Sequence, residues 1–166
     1  METEATSPQS ILRSQLFGST INPQDFLRKV LELDQQSGQH EHAKENEKLL
    51  IEEKISPILI AADYEAYYQL LSITYCHLAQ EASLFENDQV TAKEYFRKAL
   101  DACLKRTQTK GISEWTNYIA ATYAYFTEDV IEVEKALLQM KQVHAKITVT
   151  NRKKHLIIPV KQKMQG

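Results

Sequence analysis

The feature that most constrains the fold is a run of apolar residues between positions 64 and 85. Its members recur at alternating spacings of four and three residues: Tyr64, Tyr68, Leu71, Tyr75, Leu78, Ala82 and Phe85. That spacing places them on one face of an α-helix, whereas a strand would show alternation with a period of two. The run therefore predicts one long helix whose apolar stripe is buried against neighbouring elements.

Start and stop signals divide much of the remaining chain into further helices. Asn22 can cap a helix and Pro23 suits its first turn, while Asn87 or Asp88 offers a cap for a later helix. Pro57 ends a polar helix, because the residue before a proline disfavours helical geometry. The predicted helices cover about 23–36, 40–56, 64–85, 88–109, 114–126 and a last stretch from 127 onward, with an apolar connector at 58–62.

Composition indicates an all-α fold. Gly and Pro number only four each among 166 residues, and 43% of the residues are apolar, which is enough for one domain with its own core. Loops of a few residues make consecutive helices pack as antiparallel hairpins. The expected divisions are an N-terminal segment able to form a short helix at 1–22, a single helical-hairpin domain at 23–145 with hairpins at 23–56, 64–109 and 114–145, and a basic C-terminal tail at 146–166.

The 64–109 hairpin carries a specific set of residues. On its first helix they are Tyr68, Leu71, Ser72 and Tyr75, and on its second helix Ala92, Phe96 and Ala99, in the spacing A-x3-F-x2-A. These positions resemble the tetratricopeptide repeat (TPR). A weaker copy pairs Thr116, Ile119, Ala120 and Tyr123 with Ala136, Met140 and Val143. The resemblance implies antiparallel hairpins stacked as a short TPR-like right-handed array, and a generic helical bundle is the alternative.

The resemblance also implies a binding surface. In TPR domains the first helices of the hairpins line a concave groove that binds other polypeptides. Carried over position by position, the groove residues here are Gln69, Ile73, His77, Glu114, Asn117, Ala121 and Tyr125. They do not match the Lys and Arg clamp with which some relatives hold a C-terminal carboxylate. The implied groove is neutral to acidic, and its partner is a protein or peptide.

No motif for catalysis or metal binding is found in the sequence. There is no G-x-S-x-G, no P-loop, no G-x-G-x-x-G and no H-E-x-x-H. His40 and His42 form an H-x-H at a polar helix start, but residues two apart on a helix project about 200° from each other. We therefore expect a protein that is not an enzyme and has no cofactor and no metal. Cys76 and Cys103 lie within helical patterns and are interpreted as reduced core thiols.

Charge is distributed unevenly along the chain. Residues 1–145 contain 14 Lys and Arg against 22 Asp and Glu, whereas residues 146–166 contain six basic residues and no acidic one. The segment HLIIPV at 155–160 is apolar enough to dock onto protein. We expect it to pack against the acidic helical body, of the same chain or of a neighbouring one. A solvated tail, and binding of the tail to an acidic partner such as RNA, are the alternatives.

Location and other partner classes can also be addressed. No stretch approaches the ~20 apolar residues that cross a bilayer, and the opening METEATSPQS is acidic and polar, unlike a signal peptide. A cytoplasmic protein with no membrane association is expected. No basic residue lies among the tyrosines between positions 64 and 75, which argues against nucleic acid as a partner.

Two alternatives to a peptide-binding scaffold remain open. A self-associating structural bundle, for example a homodimer, would bury Tyr64, Tyr67 and Phe85 across a symmetric interface. A sensor or regulatory module would work with a separate DNA-binding element.

Overall fold

The computed structural model describes residues 7–37, 40–110 and 114–127, together with positions 135 and 138. In these ranges it has seven helices and no strand, so the all-α prediction is confirmed. The helices are α1 (Pro8–Phe17), α2 (Pro23–Ser37), α3 (His40–Ile51), α4 (Ser56–Ala62), α5 (Tyr64–Leu84), α6 (Gln89–Lys110) and α7 (Glu114–Thr127). None of the helices searched in the described chain is long and apolar enough to cross a membrane.

Side chains cap several helices, as the local sequence predicts. Asn22 Oδ1 accepts a hydrogen bond from the backbone N–H of Asp25 at 2.8 Å, at the start of α2. Asp88, not Asn87, caps α6, because its Oδ1 accepts from the N–H of Thr91 at 3.0 Å. Asn87 instead has a φ of 53°, in the left-handed region that ends the preceding turn. These caps satisfy N–H groups that have no partner within the helix.

The predicted boundaries between positions 51 and 62 are wrong, whereas the later helices of the described chain begin and end within one residue of the predicted positions. The polar helix ends at Ile51 and not near position 56, and the predicted connector at 58–62 is helical, forming most of α4. The reason is that Pro57 lies in the first turn of α4, where its missing N–H needs no partner. Ile55 and Leu59 are fully buried. Helix formation therefore allows this apolar stretch to reach the core.

Helix α5 packs at the centre of the fold, mainly against α6 and α3. It runs antiparallel to α6, since Glu65 contacts Arg106 at one end and Tyr75 stacks on Tyr95 further along. The A-x3-F-x2-A residues of α6 are all buried in this contact, together with Leu71, Tyr75 and Leu78 of α5. Helix α1 adds Leu12 and Leu16 to the same core. The core therefore contains residues from both ends of the described chain.

Helices α2 and α5 run in the same direction. Near their starts, Gln24 Nε2 of α2 donates to the carbonyl oxygen of Ala62, just before α5, at 3.2 Å. Near their ends, Asp34 of α2 contacts His77 of α5. Because residue numbers increase together along both helices, the two are parallel. Their adjacent faces form the groove described below.

The two cysteines are buried and are not joined by a disulfide. Burial raises the pKa of Cys76 to about 12 and that of Cys103 to about 11. The thiolate is the reactive form of cysteine, so both side chains behave as core residues at neutral pH.

Candidate functional site

A groove lies between α2 and the first half of α5, and we call it the α2–α5 groove. Its volume is about 280 Å³, and it is lined by Gln24, Leu27, Arg28 and Leu31 on one side and by Asp63, Glu65, Ala66, Gln69, Leu70 and Ile73 on the other. Small-molecule pockets typically measure ~300–1,000 Å³. The groove is therefore at the small end of that range and suits a few side chains of a longer ligand.

The floor of the groove is apolar because two helical stripes face each other. Leu27 and Leu31 are four residues apart on α2, and Ala66, Leu70 and Ile73 follow the same helical spacing on α5. Leu27 and Leu70 are buried, whereas the other three side chains are partly exposed. A ligand that covers partly exposed apolar side chains in a concave site removes apolar surface from water, and this favours binding.

The rim of the groove carries more acidic than basic groups. Arg28 contacts Asp25 at 3.2 Å and Glu32 at 3.1 Å on the α2 side. On the α5 side, Glu65 contacts Arg106 at 2.6 Å, and Asp63 caps the helix by accepting from the N–H of Ala66 at 3.0 Å. Among the described residues that line the groove, Asp63 and Glu65 are acidic and Arg28 is basic. The rim therefore has one negative charge in excess, which favours a basic ligand.

Gln69 contributes a polar group to the groove. Its Oε1 atom is buried and has no hydrogen-bond partner among the described residues. A buried acceptor without a partner is unfavourable by about 1–3 kcal/mol. Because the atom is covered, a bound chain would donate an N–H to it only after the Gln69 side chain has rotated toward the groove, and that hydrogen bond would remove the cost.

The three predicted site residues on α5 follow one another along its exposed face. Gln69 and Ile73 both line the α2–α5 groove. His77 lies one turn beyond Ile73, where its Nδ1 is 2.7 Å from Oδ2 of Asp34 on α2. The structure therefore brings the predicted α5 positions next to α2, and whether they bind a partner stays a prediction.

Asn117 and Ala121, the two predicted site residues of α7 whose side chains the structure describes, do not line this groove. Asn117 is partly buried, and its Oδ1 has no hydrogen-bond partner in the described ranges. Ala121 is exposed. Glu114 and Tyr125 belong to α7, but their side chains lie outside the described part of the protein. Their role in binding also stays a prediction.

Helix α7 is attached to α5 by polar contacts. Trp115 Nε1 donates to Ser72 Oγ at 2.8 Å, and Gln80 Nε2 lies 3.4 Å from the hydroxyl of Tyr118. Residue numbers again increase together, so α7 lies alongside α5 in the same direction. Partners of the 114–145 hairpin beyond α7 fall outside the described residues.

The pKa of His77 is raised above its ordinary value. The main cause is the hydrogen bond with Asp34, and the negative charges of Asp34 and Glu81 add to it, while burial acts in the opposite direction. The Asp34 side chain is 1% exposed and the His77 side chain 39% exposed. The contact therefore couples a buried carboxylate on α2 to a titratable ring at the end of the groove.

We expect the substitution Asp34→Asn to lower the pKa of His77, as measured by NMR titration of the imidazole ring. In the native protein the stabilisation from protonated His77 is fully present below about pH 6.5, the unfolded value, and is lost as pH rises through the raised folded value. Unfolding at pH 6 and pH 8 should show this difference, reduced by solvent screening. A ring that titrates at the same pH in both proteins would contradict the coupling.

Sequence reasoning missed the α2 side of the groove. Leu27 and Leu31 were not identified, because the 23–56 hairpin matches the TPR pattern only in being a hairpin. A signal was present in the sequence, since Leu27 and Leu31 widen the apolar stripe formed by Phe26 and Val30. When the apolar stripe of a helix is wider than the part that packs in the core, the remaining apolar side chains form a surface that a ligand can cover.

The tyrosines of α5 have basic neighbours in space that the sequence order does not reveal. Lys98 Nζ lies 5.7 Å from the ring centre of Tyr75, and Lys105 Nζ lies 5.8 Å from that of Tyr68. These α6 ammonium groups lie over the ring faces, where they make cation–π contacts. The premise that no basic residue surrounds these tyrosines is therefore wrong in the folded chain.

Tyr67 does not fit the proposed self-association interface. It is 3% exposed within its own chain, and its hydroxyl donates to the carbonyl oxygen of Leu50 at 2.9 Å. The side chain is thus already part of the core. Tyr64 is partly exposed, and Phe85 is exposed.

His42 takes part in a polar contact within the fold. Its Nδ1 is 3.1 Å from Nε2 of Gln9 on α1. The side chain of His40 lies outside the described part. In the ranges searched, no group of three or more His, Cys, Asp or Glu side chains is placed to hold a metal ion.

Comparison with known proteins found no matching family model, no matching curated protein and no matching solved structure.

Proposed function

We propose that this protein is a non-catalytic binding module that holds a segment of another polypeptide in the α2–α5 groove. The observation that carries this proposal is the groove itself, which has an apolar floor, an acidic rim and an unpaired acceptor on Gln69. An apolar floor supplies affinity without regard to direction, whereas a few polar groups fix the orientation of a ligand.

The arrangement of the helices supports the resemblance to TPR domains on which the predicted groove depends. Helices α2, α5 and α7 run in one direction, while α6 runs antiparallel to α5. In a stack of hairpins the first helices lie side by side in this way. On this interpretation α2 and α5 are first helices, and the α2–α5 groove is part of the concave face.

The size of the groove restricts the kind of ligand. A volume of about 280 Å³ accommodates a few apolar side chains, so the remaining length of a bound peptide lies over the acidic rim. A contact of this size belongs with small, transient interfaces, which bury less than about 1,200 Å² in total. We therefore expect modest affinity, with basic residues flanking the apolar anchor of the ligand.

The proposal can be tested with a library of displayed peptides selected on the full chain. We expect selected peptides to bind the native protein and to lose at least about tenfold in affinity, or ~1.4 kcal/mol, when Ile73 is replaced by Glu. The charged side chain would place a carboxylate on the apolar floor, beside Glu65. Fluorescence anisotropy of a labelled peptide measures the affinity.

Val90→Glu is the matched control for this experiment. Val90 has a branched apolar side chain like Ile73, but it is 74% exposed in the first turn of α6 and does not line the groove. The control should bind the selected peptides with unchanged affinity. If no peptide is selected, or if Ile73→Glu and Val90→Glu bind equally well with native helix content, the groove does not bind an external polypeptide.

A further inference from the structure

The chain itself contains a segment with the chemistry that the groove requires. Residues 152–163, RKKHLIIPVKQK, contain five basic residues and no acidic one, and the basic residues flank the apolar run LIIPV. The described lining of the α2–α5 groove has one negative charge in excess, from Asp63 and Glu65 against Arg28, and its floor is apolar. Segment and groove are therefore complementary in both charge and hydrophobicity.

The conformational preference of this segment also suits an open groove. Pro159 has no backbone N–H and restricts the residue before it to extended geometry. An extended chain points alternate side chains to one side, so Leu156 and Ile158 could both face an apolar floor while the intervening residue faces away. The buried Oε1 of Gln69 would become an acceptor for a backbone N–H of such a chain after rotation of the side chain toward the groove.

The covalent connection is long enough for this docking. Between Thr127, the last residue of α7, and Arg152 there are 24 residues. They can span up to about 80 Å when extended and about 36 Å even when wholly helical. Helix α5, with 21 residues, is roughly 32 Å long. The segment can therefore reach any point along the groove.

We propose that residues 152–163 occupy the α2–α5 groove of their own chain and compete there with an external polypeptide. This inference rests on the proposed function, since it names an internal ligand for the same groove. A tethered ligand acts at an effective concentration on the order of mM. An external partner must displace it, so events that release the segment would increase binding.

One other surface could attract the same segment. Leu84, Phe85 and Val90 are exposed at the turn between α5 and α6, close to Glu86 and Asp88. These three side chains are 73%, 75% and 74% exposed and do not line a pocket described above. The α2–α5 groove has apolar side chains on both of its sides, and this favours it. The experiment separates the two surfaces.

The test uses the full chain with labelled Ile, Leu and Val methyl groups, observed by NMR. The variant Leu156→Asn with Ile158→Asn removes the apolar anchor without changing charge, and Gln162→Asn is the matched control. We expect the methyl signals of Leu27, Leu31 and Ile73 to shift in the double variant and to stay in place in the control. The signals of Leu84 and Val90 should not move in either protein.

A second measurement connects the docking to binding. A peptide selected on the groove should bind the double variant at least tenfold more tightly than the native chain, and the control should bind like the native chain. If the groove methyl signals are unchanged in the double variant, the inference is overturned. Peptide binding that depends on Ile73 would still support the proposed function in that case. Shifts at Leu84 and Val90 instead, or shifts that disappear on dilution, would overturn it too. Groove shifts without any selectable peptide would support the docking and count against an external partner.

Discussion

Replacing Phe96 with Ala is expected to lower the free energy of unfolding by about 3–5 kcal/mol. The Phe96 side chain is 1% exposed at the contact between α6 and α5, with Ala92 and Ala99 fully buried on the same face. Removing the ring loses buried apolar surface and leaves a cavity that the small neighbouring alanines cannot fill. Urea denaturation followed by circular dichroism measures the change.

Phe85→Ala is the control for this prediction. Phe85 is 75% exposed at the end of α5, so the same change of side chain should alter stability by no more than about 0.5 kcal/mol. A loss below about 1 kcal/mol for Phe96→Ala would mean that the ring does not pack in the core, and the alignment with the A-x3-F-x2-A pattern would then fail.

The substitution Asn46→Leu should lower stability by about 1–3 kcal/mol. Asn46 of α3 is buried, and its Oδ1 accepts from Nε2 of Gln9 on α1 at 2.9 Å. Its own amide group lies 3.4 Å from the carbonyl oxygen of Val30 on α2. Leucine has a similar size but no polar atoms, so the buried Gln9 amide would lose its hydrogen bond to Asn46 and keep its contact with His42 Nδ1. Chemical denaturation of the variant measures the loss.

The double variant Gln9→Leu with Asn46→Leu tests the cause of that loss. When both partners of a buried hydrogen bond become apolar, no polar group is left without a partner. The double variant should therefore lose clearly less stability than the sum of the two single variants. Strict additivity would mean that the two amides do not interact, and α1 would then be held by its other contacts, which include the buried Leu12 and Leu16 and the ion pair between Arg13 and Glu52.

The sequence by itself determined most of the helices. Local chemistry decides them, because each signal depends only on residues within about one turn of each other. Examples are the four-and-three spacing of α5, the cap at Asn22 and the helix-starting Pro23. The buried positions of α6 were also predictable, because Ala92, Phe96 and Ala99 follow one helical stripe. For the candidate site, Gln69 and Ile73 were found through the resemblance of the α5 stripe to a known repeat.

The tertiary structure alone decided which surfaces meet. The α2–α5 groove exists because α2 lies parallel to α5, and Leu27 and Leu31 become groove residues only in that arrangement. Asp34 and His77 are 43 positions apart, and Lys98 reaches Tyr75 from a different helix. The helix at Ser56–Ala62 forms because the core accepts Ile55 and Leu59. Helical periodicity specifies which face of a helix is apolar, but many packings can cover such a face, and only the shapes of all the helices together select one.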